Sequence, residues 1–514
     1  MRIALFILFL LSVVGVEAAG FPVLVYHDIQ PGPVSDPFTV SLKDFKKQMA
    51  YLRRKGYKVI SLKQLELATR NRQRLPEKTI ILTFDDGLKS YRQYVLPVLQ
   101  QYHFPSVLSI VTSWADGKKV PKEYKNKTLS WKEIKKLDSN PLIEVISHSH
   151  ALHASALSNP QGNQKALAIV RIYRPANERY ETEARYQQRI KRDLQTTSAR
   201  FSAKLGHGPF AISWPYGHYE QYHINTAQKY GIRIHLTLDE GPANTKYFPR
   251  VHRVLIQNKR RSALFPELVT FRNYHNRQLR FTEIRLAPFA GKTANEQNKL
   301  LSRLIRRNEL LGINAIVVHP FSKNGKSAFF SNRQMPVAEN ILDRVLHQML
   351  VRNDIKLYLR IPLSLSVANS GRLIKQLARL HFFQGVVFFG KNKNNRAQHY
   401  SKIIRYHRPD VKIGYEGVNK SVLDVDFHYL RLRPDKNPDL TPIRKTGGRR
   451  YVVIDAAVNT DQKTIIRMIK VLRRNGIRDI GYASDQYSSN KPDVMAIAPE
   501  LRKSSHWRAR ANND

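Results

Sequence analysis

The 514-residue chain carries 86 Lys and Arg against 40 Asp and Glu, a formal net charge of +46, and contains no cysteine. Disulfides, zinc–thiolate sites and an N-terminal lipid-modified cysteine are therefore excluded. With 42% hydrophobic residues the chain has material for two full cores, while a charge surplus of this size attracts polyanions and repels polycations.

Met1-Arg2, the apolar run from Ile3 to Val16 and the small residues around Ala18 predict a secretory signal peptide over residues 1–19. The run is shorter than the roughly twenty residues of a membrane-spanning helix. No later segment is apolar enough to span a bilayer. The expected mature product is soluble, and periplasmic or secreted.

Next comes Val23-Leu24-Val25-Tyr26-His27-Asp28-Ile29. The β-branched run Thr79-Ile80-Ile81-Leu82-Thr83 then predicts a buried strand, and Phe84-Asp85-Asp86-Gly87 follows it directly. Adjacent carboxylates repel unless a cation or a shared proton relieves them. One acid on a metal and one free to accept a proton satisfies both; a solvated Asp-Asp-Gly turn is the competing reading. About sixty residues on, the predicted strand Leu142–Ile146 ends in Ser147-His148-Ser149-His150-Ala151-Leu152-His153. Three imidazoles at a strand end are candidate neutral ligands. Two His and one Asp, with positions left open, make the donor set of a hydrolytic metal site; the residues alone do not say which two bind.

Asn159-Pro160-Gln161-Gly162 and the charged, helix-prone stretch from Arg171 to Leu205 lead to Trp214-Pro215-Tyr216-Gly217. Leu238-Asp239-Glu240-Gly241-Pro242-Ala243-Asn244 and Arg253-Val254-Leu255-Ile256 close the first half, and residues 261–279 read as a linker. Beyond it, strands at Ala315–Val318, Ile355–Leu359, Gly385–Phe389, Tyr451–Ile454 and Ile477–Tyr482 alternate with helices at 296–311, 337–351, 372–380 and 462–474. That succession predicts a parallel sheet, most simply a (β/α) barrel.

Thr83-Phe84-Asp85-Asp86-Gly87 and the His run resemble the first two motifs of the NodB-type polysaccharide deacetylases. The order and spacing of the first-half motifs above are more closely similar to the bacterial poly-β-1,6-N-acetyl-D-glucosamine N-deacetylases of biofilm exopolysaccharide systems. The resemblance implies an α/β chain: a distorted (β/α) barrel of the polysaccharide deacetylase type over residues 20–260, and a glycoside-hydrolase-like (β/α) barrel over 280–510. It implies Asp86, His148 and His153 as metal ligands, Asp85 as general base and His27 as general acid, with His150 outside the ligand set. The metal would be zinc, cobalt, nickel or iron. Trp214 and Tyr216 are candidate sugar platforms, with core packing as the alternative. Where the common pattern has an arginine that orients the base, this chain has Ser213, and Asp239 is one candidate substitute.

The implied substrate is poly-N-acetylglucosamine exopolysaccharide on its way to an outer-membrane export porin. The alternatives are a deacetylase of another N-acetylglucosamine polymer and a secreted, non-catalytic polysaccharide-binding protein. A glycosidase needs paired carboxylates at strand ends, yet Phe389 is followed by Gly390-Lys391-Asn392-Lys393 and Val318 by a loop without an acid. The second barrel is therefore expected to lack hydrolase activity, with Asp424, Asp426 and Asp485 the acids to check. The basic surface suggests an anionic glycan or lipopolysaccharide as a further contact.

Overall fold

The structure is a computed structural model that describes residues 20–257, 264–271, 278–365, 367–417, 425–435, 438–456, 460–483 and 485–502. The signal-peptide segment, Asp424 and linker residues 261–263 and 272–277 fall outside these; within the linker, Phe265–Thr270 forms a short helix. Contacts group the described residues into two compact units. The first holds the chain up to His148 with Lys204–Ser213 and Arg233–Phe271; the second holds Ser149–Ala203, Trp214–Ile232 and the remainder.

The first unit is built on β1 (Val23–Tyr26), β2 (Thr79–Phe84), β3 (Ser106–Ile110), β4 (Ile143–Ser147), β5 (Ala211–Ser213), β6 (Ile234–Thr237), β7 (Arg250–His252) and β8 (Val254–Leu255). Their order is β7-β6-β5-β4-β3-β2-β1-β8, and every pair is parallel. β2 is buried at all six positions, as expected of a parallel strand covered on both faces. The two ends of the sheet, β7 and β8, are consecutive in the chain and flank Arg253, so the barrel nearly closes at that residue. Tyr26 lies level with Phe84, and Ile110 with Ser147, which aligns the strands' carboxyl ends along one rim.

The second unit contains a closed eight-stranded parallel barrel. Its strands are β9 (Arg280–Arg285), β10 (Ala315–His319), β11 (Lys356–Pro362), β12 (Gly385–Phe389), β13 (Lys412–Glu416), β14 (Phe427–Leu432), β15 (Arg450–Asp455) and β16 (Asp479–Ala483). An apolar interior runs through Phe281, Tyr358, Phe427, Tyr429 and Tyr451. Aromatic rings fill the space over small residues: a Cβ on Gly414 would lie 2.2 Å from the Phe427 ring, and one on Gly385 2.2 Å from Tyr358. The expectation of two successive (β/α) barrels holds. The helix expected at 337–351 begins only at Leu342, because Ala338 donates its backbone N–H to Ala328 and holds the preceding stretch extended.

The second unit also takes in a hairpin, Ser155–Leu157 paired with Gln164–Ala166, and the helix Glu183–Leu205 up to Ala203.

Candidate active site

The acid and histidine motifs fall just past strands at the carboxyl rim. His27 follows β1, Asp85 and Asp86 follow β2, and His148 follows β4. Asp85 donates its backbone N–H to the Tyr26 carbonyl at 2.9 Å, and His148 donates to Ile110 at 2.7 Å, so both turns are tied to neighbouring strands. Asp86 and Gly87 have φ of 74° and 65°. Two successive left-handed residues swing the chain off the strand, and Asp is among the few non-glycine residues that tolerate this. A Cβ on Gly87 would also sit 3.1 Å from Ile110, closer than an ordinary van der Waals contact.

Asp85 is 3% exposed, and its Oδ1 accepts a hydrogen bond from Arg253 Nη1 at 2.8 Å. Burial alone would raise its pKa; the Arg253 guanidinium, with His148 and His27, overrides that and holds it well below the usual carboxylate range. Arg253 itself is anchored at the barrel's seam, where its backbone N–H donates to the Thr237 carbonyl. The side chain that orients Asp85 is therefore Arg253 and not Asp239. Asp239 is engaged elsewhere, 3.7 Å from Arg250 and 3.6 Å from His252.

Asp86, His148 and His153 each offer a ligand atom, all within 4.8 Å of one another. The donor chemistry suits a cation. His148 donates Nδ1–H to the Ser213 carbonyl at 2.8 Å, which leaves Nε2 as the bare nitrogen, 3.5 Å from Asp86 Oδ1. Asp86 is pushed up to about 6, first by burial and further by the Asp85 charge, against the pull of His27. A carboxylate so disfavoured as an anion gains most from a nearby positive charge. His150 is not part of the group; its backbone N–H donates to Asp193 Oδ1 at 3.0 Å.

His27 is partly exposed, with its ring 5.5 Å from Phe38, and its Nδ1 has no hydrogen-bond partner among the described residues. Tyr216 is 48% exposed and lies 4.7 Å from the His153 ring, so it offers an open aromatic face. Trp214 does not. It is fully buried, with His223 edge-on at 5.1 Å, and the core-packing alternative replaces its sugar-platform role.

The second barrel carries acids that the sequence pattern did not reveal. Glu283, Glu416 and Asp455 lie on its strands toward the carboxyl end, each with an arginine. Glu283 accepts from Arg431 at 2.7 Å, His319 at 2.7 Å and Tyr429 at 2.9 Å; Glu416 accepts from Arg360 at 3.1 Å, and Asp455 from Arg431 at 2.9 Å. Asp426 precedes β14 at the opposite end, and Asp485 is held by Arg307 and Tyr482.

A rim of Asp and His donors thus stands beside an arginine-held carboxylate, a set of groups whose chemistry suits a divalent cation. Residues 72–235 match the family described as Polysaccharide deacetylase. Over 359 residues the chain is 28% identical to a poly-beta-1,6-N-acetyl-D-glucosamine N-deacetylase of Escherichia coli strain K12, covering 67% of this chain and 53% of that protein. It is 22% identical over 233 residues to the protein of the same description from Staphylococcus epidermidis, covering 45% of this chain and 72% of that one. Among solved structures, the BpsB deacetylase domain from Bordetella bronchiseptica is 31% identical, covers 47% of this chain and 98% of its own length, and superposes with a TM-score of 0.42. Residues 72–235 form a polysaccharide deacetylase domain. It spans about half the length of the first curated relative it matches.

Proposed function

We propose that this protein is a metal-dependent N-deacetylase of poly-β-1,6-N-acetyl-D-glucosamine, acting in the periplasm during exopolysaccharide export toward an outer-membrane porin. The observation that carries the reading is the convergence of Asp86, His148 and His153 beside an Asp85 pinned by Arg253. Asp86, His148 and His153 would hold a zinc, cobalt, nickel or iron ion. Such an ion polarises an amide carbonyl and lowers the pKa of water at the site.

Asp85, kept ionised by Arg253, accepts the proton of the attacking water. The open face of Tyr216 receives a sugar ring. His27, on the neighbouring strand end, donates a proton to the departing nitrogen, which leaves a free glucosamine amine and acetate. The product is a polycation, and the +46 charge of the chain favours its release. The same charge suits contact with an anionic glycan or lipopolysaccharide. The arginine pairing of Glu283, Glu416 and Asp455 supports a second barrel without glycosidase activity, since these three carboxylates are each committed to a guanidinium.

The test is acetate release from a β-1,6-N-acetylglucosamine pentamer, run with metal, with chelator and with Asp85→Asn. Release that needs both the metal and Asp85 is the expected result. An oligomer that binds yet releases no acetate with any of the four metals would make the protein a polysaccharide-binding protein instead.

A further inference from the structure

The stretch after His153 leads straight into the hairpin of the second unit. Ala154 accepts a backbone hydrogen bond from Leu167, and the strands Ser155–Leu157 and Gln164–Ala166 pair in register behind it. At the hairpin's tip Asn159 builds the turn, its Oδ1 accepting from the backbone of Gln161 and Asn163, both at 3.1 Å. The hairpin's outward polar groups then converge on one carboxylate of the same unit. Asp343, at the start of the helix Leu342–Asn353, accepts from Asn159 Nδ2 at 2.6 Å, pairs with the Lys165 ammonium, and lies 3.3 Å from His381 Nδ1. Lys165 also donates to the Leu380 carbonyl at 2.7 Å, and Gln161 donates to that of Asn340 at 2.8 Å. Asp343 and Asn159 are 5% and 1% exposed, so these bonds are shielded from water. The other side of the loop is held too: Asp193, on the helix Glu183–Leu205, accepts from the backbones of His150 and Ala151.

We infer that Asp343 of the second barrel is a positioning residue for the ligand His153, clasping the hairpin behind it through Asn159 and Lys165. Within the second unit, the helix Leu342–Asn353 then braces the loop that carries His153. A buried carboxylate satisfied by an ammonium and an amide holds one geometry, because losing either partner leaves an uncompensated group in a dry site. The two-residue step from His153 to the hairpin passes that constraint to the imidazole. Outer supports of metal ligands commonly set affinity by tenfold or more. The inference rests on the proposed metal site, and its test separates the two.

The experiment is zinc titration of the metal-free full-length protein against a competing chelator dye, alongside hydrogen exchange over residues 150–167. Wild type is expected to bind one zinc, and Asp86→Ala to lose it. If wild type binds none, or Asp86→Ala binds equally well, the metal-site reading fails whatever Asp343 does. Given wild-type binding, Asp343→Asn is expected to weaken zinc by about tenfold and to speed exchange across the hairpin. Asp485→Asn, which disturbs a different buried pair of the same barrel, is expected to leave zinc affinity unchanged. Folded Asp343→Asn protein with wild-type zinc affinity would overturn the brace, as would an equal loss in Asp485→Asn. Should Asp343→Asn fail to fold, Asn159→Ala and Lys165→Met carry the same test from the hairpin side, and wild-type affinity in both overturns it.

Discussion

Asp85 and Arg253 stand 168 positions apart in the chain and form one buried ion pair. Removing one partner of such a pair costs about 3–5 kcal/mol, because the other charge is left without compensation. Arg253→Met is therefore expected to lower the melting temperature and to abolish acetate release, since burial then raises the Asp85 pKa and neutralises the proposed base. Arg253→Lys keeps the charge but loses the planar donor fork, and should recover stability better than turnover. Among the histidines, His153→Ala is expected to lose bound metal in a zinc titration and His150→Ala to keep it, because His150 lies outside the ligand group. His27→Ala should keep the metal and slow acetate release. The acids and histidines were legible because each group is adjacent in sequence at a strand end. Arg253 carried only a weak signal, an arginine beside an apolar run that burial would force to find a partner.

Strands whose residues form continuous apolar and aromatic runs, such as Gly385–Phe389 and Tyr451–Ile454, could be read from the sequence. Arg280–Arg285, Lys412–Glu416 and Phe427–Leu432 could not. Their inward positions carry Glu283, Glu416 and Arg431 toward the carboxyl end, so apolar and charged residues alternate within what is in fact a buried strand. Those charges are tolerable only because they meet one another across the barrel, a fact no local pattern contains. Packing adds a similar long-range demand. Gly414 is required by the Phe427 ring on the neighbouring strand, and Gly414→Ala is expected to lower stability by about 1–3 kcal/mol through overpacking. Urea unfolding monitored by aromatic fluorescence would show it, and a neutral result would mean that the ring can move aside.

At the scale of the molecule, buried acids with depressed pKa values set the response to pH. For Glu220, burial is overcome by Arg171 and His407; for Glu283, by His319, Arg360 and Arg431. Both are held below the usual carboxylate range. The stability they supply is complete above the unfolded pKa, about 4.3 for Glu, and is lost as pH falls through it toward the folded value. Melting temperature is expected to drop steeply below about pH 4.3, and Glu283→Gln should flatten that drop while lowering stability at pH 7. An unchanged acid limb would remove Glu283 from the cause. The order of two barrels was readable from the alternation of elements. That residues 149–203 and 214–232 group with the second barrel was not, since single polar residues such as Asn159 and Lys165 encode it and composition does not.

The meeting of β7 and β8 at Arg253 bears on how the protein can be dissected. The family match ends at residue 235, and a fragment trimmed to that border would keep the acid motif and the histidines while discarding both terminal staves of the ring. The same cut would strip Asp85 of its counter-ion, so the silence of such a fragment would be a product of the scissors and would say nothing about the intact protein.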